Sequence, residues 1–406
     1  MSEDSYGECG NRLLPAEKPV CDHLRMTTPR SLLVDPDNEC DYHVASRCVR
    51  RAFLCGVDPL TGRDCSHRRG WLLQRLKQLT PCFAVDVYSY TVLSNHFHLA
   101  LRHDPVACRF WTDEEVAWRW FDAFPPKEHG EVVEELKPER RELMLGDPNR
   151  VAAARRTLGS LSGFMKHLKQ PIARRANLED DCEGHFFEQR FYSGALLTEE
   201  AMIAAMAYID LNPVRAELAD RIEAITDTSI AERLQVNSAE ALDEYLRPVL
   251  SGLDDYVVGG STTWSSPEVP DGTEHCIDEY ADTHIASASE EDEAGALQPQ
   301  PATGDAEMPP TGSIQGVAAP DCGNGNRSRR KRSPPPAIRL VDYIDILRGM
   351  VDAEQISTVV PPNRVAEWLA RTKVLKRRQR AYGNEAALRN WTADRGLRLR
   401  EVALPV

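Results

Sequence analysis

The chain has 406 residues, 42% of them apolar and 28% charged, and a formal net charge of -14. That length leaves room for two or three domains with a sizeable core, while the lack of any run of about 18 apolar residues and of a basic-then-apolar leader argues against a membrane span or a secretory signal. The 11 cysteines are scattered without a C-x-x-C pair, which argues against a structural zinc site and a disulfide framework, and a reducing cytoplasm is the expectation.

The acidity does not exclude nucleic acid, because it is concentrated. Asp254 to Glu307 holds 14 acidic residues and no Lys or Arg, and without that tract the chain carries 49 acidic against 49 basic residues.

Residues 1–29 read as a tail. From Arg30 onward, Tyr42 to Val49 alternates with a β-branched and aromatic bias and predicts a strand; Arg69 to Leu79 shows helical spacing at Leu72, Leu73, Leu76 and Leu79. Phe83 to Tyr90 alternates again and leads through Ser94 and Asn95 into the stretch that organises the chain, within Thr91 to Arg102. On a strand, His96, His98, Ala100 and Arg102 share one face while Phe97, Leu99 and Leu101 share the other. The two imidazoles then stand roughly 6.5 to 7 Å apart at Cα, within reach of one divalent cation. A pair of solvated or core histidines is the alternative.

Trp111 to Leu145 reads as helical insertions over the sheet. Val151 to Arg175 predicts one amphipathic helix, with seven Lys or Arg and no acid from Arg150 to Arg175; its basic side is either a phosphate contact or a solvated face. Gly184 to Tyr192 is an aromatic and basic loop or short strand, in which Phe187 and Phe191 either stack bases or belong to the core. Thr198, Glu199 and Glu200 signal a helix start, and that helix stops before Pro213. Met202, Met206 and Ile209 form its core stripe, and Tyr208 lies about 160° from Met206 beside Ala201, Ala204 and Ala205, with space around it.

Beyond residue 251 the composition turns to Gly, Ser, Thr, Pro and acids and reads as a disordered linker over 251–337, closed by a basic, Pro-rich run. A short helical module follows over 338–406. Its Arg371 to Arg400 stretch carries 10 basic and 2 acidic residues and is a second candidate nucleic-acid surface.

Four blocks together resemble a known family: Tyr42-His43-Val44 with Arg47, Ser94 to Leu99, Gly184 to Phe191, and Ala207 to Ala216. They are similar to the HUH superfamily, and within it to single-tyrosine transposases of the insertion-sequence-200-like and REP-associated type, over about Arg30 to Leu218. Ser94 stands where the family has proline.

The resemblance implies an α+β, ferredoxin-like antiparallel sheet with helices on one face, forming an HUH nuclease domain over 30–250. It implies that Tyr208 attacks single-stranded or hairpin DNA to give a 5′-phosphotyrosine and a free 3′-hydroxyl, with Mg²⁺ or Mn²⁺ held by His96, His98 and Asn212. Asn212 is otherwise a helix C-terminal residue before proline. Arg47, Arg155, Arg156, Lys166, Lys169, Arg190 and Arg215 are the candidate DNA contacts, and a cytoplasmic, nucleoid-associated location follows. The site is assembled within one chain or across a homodimer. The competing reading is a domesticated hairpin-binding protein that does not cut, and a hydrolytic metal enzyme unrelated to DNA lacks the further ligands it needs.

Overall fold

The computed structural model describes residues 28–49, 53–58, 61–236, 238–254, 333–355 and 362–405. Apart from their inner edges, the tail expected over 1–29 and the linker expected over 251–337 lie outside the described residues. The fold is α+β. Strands β1 (Cys40–Arg47), β2 (Val85–Val92), β3 (His96–His103), β4 (Tyr192–Leu196), β5 (Leu250–Ser251) and β6 (Ala381–Tyr382) form one sheet in the order β5-β2-β3-β1-β4-β6. Every neighbouring pair is antiparallel except β4 and β6. The described α-helices of six or more residues are α1 (His67–Leu79), α2 (Asp113–Ala123), α3 (Lys137–Leu145), α4 (Pro148–Leu158), α5 (Leu161–Glu179), α6 (Glu199–Asp210), α7 (Ser229–Leu234), α8 (Leu340–Gln355), α9 (Asn363–Leu375) and α10 (Glu385–Asp394).

Strand alternation divides β3 as its sequence dictates. Phe97, Leu99 and Leu101 join one apolar cluster with Leu72 and Leu76 of α1 and Phe164, Met165 and Leu168 of α5. Ala100 belongs to a second cluster with Met202, Met206 and Ile209 of α6, Tyr343 and Leu347 of α8, and Trp368 of α9. Helices therefore cover both faces of the sheet, not one. The covering of the second face is shared by α6 and by the segment expected as a separate C-terminal domain, which also adds β6 to the sheet edge beside β4.

The helix expected over Val151 to Arg175 is two. Asp147 caps α4, accepting from the amides of Asn149 at 3.0 Å and Arg150 at 3.4 Å, with Pro148 at the first helical position. Ser160 then caps α5 by accepting from the Gly163 amide at 3.1 Å. Gly159 sits at the break because a Cβ there would stand 2.5 Å from Cys108 Sγ.

Helix α6 begins where its signals place it, with Thr198 Oγ1 accepting from the Ala201 amide at 3.3 Å and two acids in the first turn. Its alanine side is not open. Ala201, Ala204 and Ala205 are each 0% exposed, because α6 is packed between the sheet and α9, and small side chains let both come close. Tyr208 is the exception, the one residue of α6 beyond its two N-terminal glutamates that is not fully buried. No described helix is long and apolar enough to cross a membrane.

Candidate functional site

The register of β1 against β3 brings three histidines to one end of the second face. Ala45 pairs with His98, Arg47 with His96 and His43 with Ala100, so His43 lies diagonally across from His98. His43 Nε2 and His98 Nδ1 share a hydrogen bond of 2.9 Å, and His96 Nδ1 lies 2.7 Å from Asn95 Oδ1. His96 Nδ1–H faces the Asn95 oxygen, which leaves its Nε2 bare for a ligand, and His98 Nε2 is bare in the tautomer whose Nδ1–H donates to His43 Nε2. Their ring centroids are 4.9 Å apart.

These imidazoles are neutral at ordinary pH. Burial, assisted by the nearby Arg378, holds His43 down at about 3. Burial, then Arg47 and Arg378, lowers His96 to about 4. His98 is held well below its ordinary value by burial first and by His43 and His96 next. A neutral imidazole is the form that ligates a metal.

Helix α6 delivers Tyr208 to the same place. Its ring centroid is 5.7 Å from that of His43 and 5.8 Å from that of His98, and the Arg215 guanidinium carbon lies 5.7 Å from the Tyr208 ring centre. The Tyr208 hydroxyl makes no hydrogen bond with any described residue. The other phenol in the cleft, Tyr192, is committed: it donates to the Gln379 carbonyl at 2.6 Å and meets the Tyr382 hydroxyl at 2.5 Å. Burial and the Tyr382 contact push the Tyr192 phenol well above its ordinary value. Of the two phenols, Tyr208 is the one with an uncommitted oxygen.

His43, Ala45, Arg47, His96, His98, Tyr192 and Tyr208 line a cleft of about 150 Å³ together with Leu375, Lys376 and Arg378 of the C-terminal segment. Three lining side chains are cationic and none is acidic. Neutral His96 and His98 suit a divalent ion as donors, but no described group of three or more His, Cys, Asp or Glu side chains is arranged to hold one. Such an ion would need further oxygens, and in a cleft ringed by cations a phosphate is the natural source.

Asn212 opens a short helical turn (Asn212–Arg215) and does not line the cleft; its Nδ2 is buried without a hydrogen-bond partner. Of the residues expected to touch DNA, Arg47 is in the cleft wall and exposed. Arg215 stands beside Tyr208 and pairs with Glu354 at 2.9 Å. Arg155 is spent on structure, donating to the Cys108 and Trp111 carbonyls at 2.6 and 2.7 Å and to Asp113 Oδ1 at 2.5 Å. Lys169 donates to the Glu188 carbonyl at 3.2 Å, lies 5.5 Å from the Phe187 ring centre, and is lowered to about 8 by burial first and by Arg30 next. Arg156 and Lys166 are exposed on α4 and α5, which pack on the opposite face of the sheet, and Arg190 is exposed and donates to the Thr28 carbonyl at 3.4 Å. Phe186, Phe187 and Phe191 are core residues of that opposite face, not a stacking platform.

In the sequence, His43 and Tyr192 carry no role of their own, and Lys376 and Arg378 stand out only as part of the Arg371 to Arg400 stretch, a candidate nucleic-acid surface. The period-two spacing of His43, Ala45 and Arg47 was a usable signal for the first, since it places His43 and Arg47 on one face of β1. For Lys376 and Arg378 the basic run marked the segment but not its destination.

No family model matches the chain, and no curated protein matches it. Among solved structures it is similar to a REP-associated tyrosine transposase bound to a REP hairpin, at 12% identity, across 57% of this chain and 92% of that chain, with a TM-score of 0.28.

Proposed function

We propose that the cleft is the active site of a single-strand DNA endonuclease and strand transferase of the transposase type, built on a ferredoxin-like HUH core. The observation that carries this reading is the meeting of a neutral histidine pair with a phenol whose oxygen is uncommitted, in a small cleft with three cations and no acid. A phosphodiester is the substrate class that such a wall favours.

Tyr208 Oη attacks phosphorus as the bond to the 3′-oxygen breaks, leaving a 5′-phosphotyrosine; the phenol gives up its proton and the departing 3′-oxygen takes one. Because the ester bond is exchanged for another of similar energy, a free 3′-hydroxyl can reverse the step without an external energy source. His96 and His98 would hold Mg²⁺ or Mn²⁺, and substrate phosphate oxygens would complete the shell in place of Asn212, the family-type third donor, which lies outside the cleft wall. Held there, the ion would supply charge neutralisation on the phosphate and would help the phenol lose its proton. His43 Nε2, accepting from His98 Nδ1–H, would keep the His98 ring oriented with Nε2 free, in the place that a carboxylate or carbonyl commonly takes behind a ligating histidine.

One observation favours the second reading, a hairpin-binding protein of the same fold that does not cut: Asn212 is absent from the cleft wall. Incubation with labelled single-stranded hairpins and Mg²⁺ or Mn²⁺ separates the two. The nuclease reading predicts a covalent DNA adduct that survives denaturing electrophoresis and is lost in Tyr208→Phe. Binding without an adduct across a broad hairpin set supports the second reading.

A further inference from the structure

After α9 the chain continues along the wall of the histidine and tyrosine cleft, where β4 pins it and a bond of its own braces it. The Ala195 amide donates to the Arg380 carbonyl at 2.9 Å and the Leu197 amide to the Tyr382 carbonyl at 2.8 Å. The Tyr192 hydroxyl holds the Gln379 carbonyl at 2.6 Å, and the Tyr382 hydroxyl holds the Arg377 carbonyl at 2.5 Å. Gly194 makes this approach possible, since a side chain there would collide with the Tyr192 hydroxyl, the Tyr382 ring and the Gln379 carbonyl. The segment is thus a fixed wall of the cleft.

Two residues of that wall, Lys376 and Arg378, alternate along the chain, are exposed, and line the cleft. Lys376 has no ion-pair partner among the described residues. Arg378 has one remote acid, Glu188 at 4.0 Å with both side chains about half exposed, a contact worth little in water. Its guanidinium lies 5.7 Å from the Tyr192 ring centre, which holds it at the rim. Arg47 adds a third charge from β1. Three cations gathered round one small cleft with no acid in its wall repel one another, and an anion resting among them removes that cost.

We propose that Lys376 and Arg378 form a phosphate clamp contributed by the C-terminal segment, gripping the backbone of a single DNA strand so that one phosphodiester rests against Tyr208. This rests on the reading of the cleft as a DNA site. A strand bound there neutralises the two cations and releases counterions, so its affinity falls with salt at about 0.7 per contact in log-log slope for single strands.

The test is fluorescence anisotropy of a labelled single-stranded hairpin oligonucleotide with the full chain, from low to high salt. The variants are the Lys376→Ala/Arg378→Ala double variant and Lys373→Ala, a control exposed on α9 and outside the cleft. The clamp predicts roughly tenfold weaker binding in the double variant at low salt and a slope shallower by about 1.4, with Lys373→Ala keeping the parent slope. Unchanged affinity and slope in the double variant overturns the proposal, and so does weaker binding with the parent slope, which marks a packing defect in place of lost phosphate contacts. Binding is read apart from cleavage: a parent chain that shows the clamp's slope yet forms no adduct sinks the nuclease reading and keeps the clamp.

Discussion

On one face of the sheet, Phe97, Leu99 and Leu101 of β3 are enclosed by leucines, methionine and phenylalanine from α1 and α5. On the other face, the same strand presents His96 and His98 to Tyr208, and a buried carboxylate ties the tyrosine helix down. Asp210, two residues after Tyr208 and 0% exposed, accepts from the hydroxyls of Ser89 at 2.7 Å, Ser229 at 2.5 Å and Tyr343 at 2.6 Å. One side chain thereby joins α6 to β2, α7 and α8. Apolar packing is non-directional and forgives a change of shape at constant volume; a hydrogen-bonded cluster fixes the rotation and height of the helix that carries Tyr208, the proposed nucleophile. The two faces of one sheet thus divide the tasks of cohesion and of aim.

Substitutions that set one face against the other test this division. His98→Ala, on the polar face, removes a proposed metal donor and the partner of His43; several kcal/mol of transition-state stabilisation go with it, about a thousandfold loss in adduct rate in single-turnover assays. Asp210→Ala strips three buried hydroxyls of their acceptor and leaves the buried Arg233, 3.9 Å away, without its counter-charge. Urea unfolding should show a cost of about 3–5 kcal/mol.

Acid should weaken the polar face next. His43 and His96 have folded values of about 3 and about 4, below the ordinary 6.5, so the unfolded chain binds more protons between those limits. Their contribution to stability is complete above pH 6.5 and is lost as pH falls towards 3; His103, on the apolar face, shifts in the same direction through burial. With a chelator present, urea midpoints should decline through that window, and His43→Gln should make the decline shallower. Leu99→Met, the volume-conserving change on the apolar face, should cost under about 1.5 kcal/mol and leave adduct formation intact. A large loss of adduct from Leu99→Met would erase the contrast between the faces.

What the sequence made legible was local. The alternation of His96 and His98 with Phe97, Leu99 and Leu101 is a property of six consecutive positions, and Thr198 with Glu199 and Glu200 marks the start of α6 from within one turn. Illegible features depended on distant partners. The alanine side of α6 reads as open because α9, which packs on that helix, lies far along the chain beyond the acidic tract. Arg155 reads as a DNA contact because the carbonyls that occupy it come from Cys108 and Trp111. The place of Lys376 and Arg378 hangs on the pairing of β6, two residues long, too short to leave a periodic signal.

Tyr208 Oη is the proposed nucleophile of this cleft, and peptide mass spectrometry of the protein after reaction with a hairpin substrate tests that role most directly. The account predicts a nucleotide joined through its 5′-phosphate to the peptide that carries Tyr208. A nucleotide found on Tyr192 or elsewhere, with Tyr208 unmodified, would contradict it.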